Sequence, residues 1–184
     1  QGRLGLPDTK LAGNAKSDSP PSEDDSTIEE AVTEQKDLLA EFDKVADELN
    51  NILANLEGST LVKRLKASSR KQQAVAGKLS SIVTNSFGVS DREKEMHTKT
   101  FVQLSVVESN SSREASHIMD DMAAYFERSR FILFQRVLDD MRTLDVTAEL
   151  RLLGEELRKE NGLAISQAEY WSDTFDRWAE DLVE

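Results

Sequence analysis

Hydrophobic positions recur at helical spacing along most of this chain. Between Ser26 and Gly58, the series Ile28, Val32, Gln35, Leu39, Phe42, Ala46, Leu49, Leu53 and Leu56 alternates steps of four and three, the heptad signature of a single helix face. Leu38, Val45 and Ile52 repeat beside it and widen the face beyond a bare two-stranded seam. A second stripe, Leu61, Leu65, Ser68, Gln72, Val75, Leu79, Ile82 and Ser86, keeps the same spacing out of phase with the first. Continuing the first series past Leu56 lands on Thr60, Lys63, Ala67 and Arg70. A straight helix would therefore turn its apolar face aside. Gly58, which can take the left-handed cap conformation, predicts a chain reversal there and a hairpin of helices over 27–57 and 59–87. Ser26 with Glu29, or Thr27 with Glu30, forms a capping box at its start.

Phe87-Gly88 predicts the end of the second helix, and Ser90 with Glu93 the cap of a third. No Pro or Gly occurs between Val89 and Leu153, so this helix is expected to run over 91–142. A kink is expected near 109–112, in the polar stretch Glu108 to Glu114. Phe131, Phe134, Leu138 and Met141 resume the stripe, and the segment Arg128 to Arg136 reads first as buried bundle and second as a surface for anionic membrane. Asp145 is the expected N-cap of a helix over 146–160 carrying Val146, Leu150, Leu153 and Leu157. Ser166 with Glu169 is the expected capping box of a last helix over 167–183, whose stripe is Trp171, Phe175, Trp178 and Leu182. Residues 1–25 hold all three prolines and a Ser/Asp/Glu cluster, the composition of an extended or flexible arm. The pattern thus predicts an all-α fold: an elongated antiparallel, coiled-coil-like bundle of four to six helices without β-sheet, in one domain over 26–184.

Charge changes this picture in one place. The chain is 184 residues long with a net charge of −12, yet the charge is unevenly spread. Ser26 to Gly58 holds nine acids and two lysines; Ser59 to Gly88 holds six bases and no acid. The expected role of the basic arm is to neutralise the acidic arm lying against it, with Lys63, Arg64, Lys66, Arg70 and Lys71 as candidate partner-binding residues. Nucleic acid is disfavoured: the net charge repels polyanions, and no aromatic side chain interleaves these bases. The longest unbroken apolar run is Phe131 to Phe134, too short to span a bilayer. Membrane contact is therefore expected only through segments outside this chain. Its first residue is Gln1, consistent with a processed or excised piece of a larger protein.

Candidate chemistry is sparse. The absence of cysteine excludes disulfides, thiolate metal sites and cysteine nucleophiles. Glu114 and His117 form a Glu-x-x-His, with Asp121 two turns from Glu114 on the same face. Two such motifs on separate helices build di-iron and di-manganese bundles, but no second one is present. His97 and His117 lack a paired nucleophile, and no phosphate-binding or nucleophile-elbow motif occurs. No cofactor is expected. The aromatic stripe Trp171, Phe175 and Trp178 reads first as core and second as a partner anchor. Three functions fit. The leading one is a non-enzymatic protein–protein interaction or scaffold module of a larger protein, acting through a protein partner or self-association. The second is an extracytoplasmic ligand-sensing bundle of a membrane receptor, with its pocket near Glu108–His117. The third is a carboxylate–His metalloprotein at Glu114, His117 and Asp121.

Overall fold

The heptad spacing is realised entirely as helix. A computed structural model describes residues 23–85, 91–159 and 163–183. Five α-helices account for nearly all of them: α1 (Glu23–Asn85), α2 (Asp91–Ser129), α3 (Ile132–Thr143), α4 (Val146–Arg158) and α5 (Ala164–Asp181). No strand occurs among the described residues, and the chain is all-α. It divides into two compact units, Gln1–Glu48 and Leu49–Glu184. Most of the arm expected over 1–25, the helix end at Phe87-Gly88 and the Ser90 cap lie outside the described residues.

The predicted hairpin is not formed. Helix α1 passes through Gly58 without interruption, and Ser26 and Thr27 lie inside it rather than at its cap. The phase slip has another physical basis. Within the C-terminal unit, Leu49, Ile52, Leu53 and Leu56 are exposed, whereas Gly58, Leu61, Leu65, Ser68, Gln72, Val75 and Leu79 are buried. At about 100° per residue the two sets lie on nearly opposite faces, and only the second is packed. Gly58 supports that packing. A Cβ there would stand 3.0 Å from the Tyr125 hydroxyl and 3.3 Å from the Phe134 ring, so the missing side chain admits two aromatic rings against α1.

In the C-terminal unit, the cross-helix contacts fix an antiparallel arrangement. Glu57, Arg64 and Gln72 of α1 meet Arg128, then Asp121 and Glu114, then Glu108 of α2. Lys66 and Ser69 of α1 meet Asp176 and Ser172 of α5 in the same opposed order. On α2, Ser105 and Ser112 meet Arg158 and Thr147 of α4. The α2–α4 pair packs closely because Gly154 has no side chain: a Cβ would lie 3.2 Å from both the Ser105 carbonyl oxygen and the Glu108 Cβ. Leu65, Ile118, Met122, Met141, Leu150, Leu157 and Trp178 are fully buried between the helices.

Three further expectations are corrected. Helix α2 runs unbroken across 109–112, because the polar residues there face partners instead of breaking the helix: Ser112 donates to the Thr147 carbonyl at 2.7 Å, and Ser109 to that of Ser105 at 3.0 Å. The break falls instead at Arg130, whose φ of 57° is left-handed. It re-aims the chain so that Phe134 meets Tyr125, ring centroids 4.4 Å apart. Phe134 is buried, but Phe131 and Ile132 at the corner are exposed. Asp145 is likewise left-handed at φ 44° and makes no capping bond; it separates α3 from α4 by its backbone, a conformation Asp tolerates. Finally, α5 starts at Ala164, ahead of the predicted capping box, and the Ser166 hydroxyl donates to the Leu163 carbonyl at 2.9 Å.

Candidate functional site

Two features stand out against this frame: an open apolar helix face in the N-terminal unit and a polar layer sealed inside the C-terminal unit.

The open face belongs to the described part of the N-terminal unit, residues 23–48 of α1. Every residue from Thr27 to Glu48 is exposed. That includes Ile28 at 59%, Val32 at 43%, Leu39 and Phe42 at 62% each, and Leu38 and Val45 beside them. A helix of this kind gains little stability in water from propensity alone; burial of an amphipathic face normally supplies it. Burying a Leu, Ile, Val or Phe side chain is worth roughly 1.5–3 kcal/mol, so the unmet burial is large. The sequence registered this stripe but assigned its cover to the basic arm. That arm is otherwise engaged. Arg64 donates from Nε to Glu114 at 2.9 Å and from a terminal nitrogen to Asp121. Lys66 reaches Asp176 at 2.7 Å and Glu180 at 3.3 Å. The positive charge of α1 is thus answered by α2 and α5, while Lys63, Arg70 and Lys71 are exposed. The pKa of Arg64 is raised: burial opposes its charge, and the hydrogen bonds and charges of Asp121 and Glu114 together outweigh that.

The polar layer centres on Glu108. Gln72 Nε2 donates to Glu108 Oε2 at 2.8 Å, and neither residue has solvent exposure. Ser105, also fully buried, accepts from Arg158 Nε at 2.7 Å. Glu108 Oε1, Gln72 Oε1 and Ser111 Oγ find no protein partner. Burial raises the Glu108 pKa to about 7, against the smaller opposing effects of the Gln72 hydrogen bond and the Lys71 charge. The layer also fixes the register of α1 on α2, because a buried carboxyl is costly in any register that removes its donor. Sequence reasoning marked the Glu108–Glu114 stretch as unusual but read polarity as a break; its heptad position, inward like Leu104, Ile118 and Met122, was the signal for a buried acid.

The remaining candidates fall elsewhere. Glu114 and Asp121 hold the Arg64 guanidinium between them, and His117 is exposed. No group of three metal-ligating side chains is suitably placed among the described residues. Trp171, Phe175 and Trp178 are buried together, with Phe175 and Trp178 edge to face at 5.4 Å, so this stripe is core rather than a surface anchor. Trp178 Nε1 donates to Asp140 at 2.6 Å, which satisfies the indole where it enters the core. An apolar hollow of about 500 Å³ opens beside Gly58, Tyr125, Phe131, Ile132 and Phe134. No described helix is long and apolar enough to cross a membrane. No protein-family model matches the chain, and neither a curated protein nor a solved structure is significantly similar to it.

Proposed function

We propose that this chain is a non-enzymatic interaction module that receives a helical protein segment on the open face of α1 in the N-terminal unit. One observation carries the reading: Ile28, Val32, Leu38, Leu39, Phe42 and Val45 form a heptad-spaced apolar face and are all exposed. Helix-in-groove and coiled-coil recognition use this pattern of anchors. The experiment compares the chain with its Leu39→Gln, Phe42→Gln variant. Both are titrated with helical peptides bearing a matching Leu/Ile stripe and, separately, concentrated alone in sedimentation velocity. Association of the unmodified chain with a peptide or a second copy, lost in the variant while the unfolding temperature of the C-terminal unit is unchanged, supports the proposal. Equal behaviour of chain and variant contradicts it.

A further inference from the structure

The charges beside the open face select among its conceivable occupants. We infer, resting on the reading above, that the occupant is an amphipathic helix whose apolar stripe is flanked by lysine or arginine, and not a second copy of this chain. In the heptad register, Val32, Leu39 and Ala46 alternate with Ile28, Gln35 and Phe42, and Leu38 and Val45 widen the stripe on one side. The columns bordering this face are then Glu29, Lys36 and Asp43 on one edge and Glu34, Glu41 and Glu48 on the other. Five of these six residues are acids, and all six are exposed. Edge positions set partner choice and orientation in paired helices, since unlike charges attract across the seam and like charges repel.

A second copy carries the same two columns. Whether it lies parallel or antiparallel, acid meets acid along both edges, with Lys36 as the one cation available to relieve them. The wider segment points the same way, with eleven acids and two lysines over residues 23–48. The chain's own basic stretch does not serve as this occupant, either in place or from another copy. Its apolar side, Leu61, Leu65, Val75 and Leu79, is buried in the C-terminal unit, and Arg64 and Lys66 are engaged by acids there. A partner with basic edges is therefore the complement that this face lacks.

The test uses the full chain and two synthetic helical peptides with one shared Leu/Ile stripe, one flanked by lysines and the other by glutamates. Fluorescence anisotropy at low and high salt gives the affinities, and sedimentation velocity gives self-association. The expected result is binding of the lysine-flanked peptide at least about tenfold tighter than the glutamate-flanked one, weakening as salt screens the edges. A Glu34→Lys, Glu41→Lys, Glu48→Lys variant is expected to reverse the order. Preference for the glutamate-flanked peptide, no discrimination between the two, or self-association that outcompetes both and strengthens with salt would overturn this inference and leave the interaction function standing. A face that takes neither peptide nor a second copy would overturn both.

Discussion

Glu108 shows what burial does to a single residue. Its pKa is pushed up to about 7, against 4.5 for a free glutamate. Between these values the folded chain holds a proton that the unfolded chain has released. Folding is therefore most favoured by this group below about pH 4.5, and its contribution is lost as pH rises through 7, a swing of order 3 kcal/mol. Glu108→Gln keeps the shape, accepts no charge and supplies a donor to the layer. Urea unfolding at pH 5 and pH 8 should show the variant gaining on the unmodified chain as pH rises; equal pH dependence would place Glu108 in water. The two packed glycines predict a contrast. Gly154→Ala drives a Cβ at a backbone carbonyl and a helix Cβ, neither free to yield, and should cost about 1–3 kcal/mol. Gly58→Ala meets only the ends of two aromatic side chains and gains about 1 kcal/mol of helix propensity, so its unfolding midpoint should stay close to that of the unmodified chain. A large loss at Gly58 would mean that the Tyr125 and Phe134 rings cannot yield to the added methyl.

Among the elements, α1 was both the most and the least legible part of the sequence. Its two stripes and the slip between them were plain in the spacing of leucines. The consequence of the slip was not, because periodicity reports where an apolar face points and says nothing of what meets it. A hairpin and a continuous helix with one face unused satisfy the same pattern. Glu108 was hidden for a related reason: composition treats a Glu/Ser-rich stretch as solvated, and only its inward register betrays the buried acid. The break at Arg130 left no signal, since no Gly or Pro marks it and the Phe134–Tyr125 contact that accompanies it is a tertiary one. The charge of α1 now carries a sharper expectation. Arg64→Glu removes the guanidinium shared by Glu114 and Asp121 and sets a third acid beside them. It should lower the unfolding temperature more than Lys63→Glu, where the native lysine is exposed, and the gap should narrow in high salt. Equal effects would mean that the α1–α2 ion pairs contribute nothing measurable.

At the scale of the whole molecule, the two units differ in what they hold. The Leu49–Glu184 unit holds the core, the buried polar layer and the pairing of α1 with α2 and α5. The described part of the Gln1–Glu48 unit holds an apolar face with acidic edges and no cover. Amide hydrogen exchange across the chain, alone at a dilution where it is monomeric and then saturated with the lysine-flanked peptide, tests this division most directly. Amides over 28–48 are expected to exchange rapidly in the free chain and to slow by at least about tenfold on binding, while those of α4 and the core of α2 are protected in both states. Amides over 28–48 already as protected in the free monomer as those of α4, and unchanged by the peptide, would contradict it.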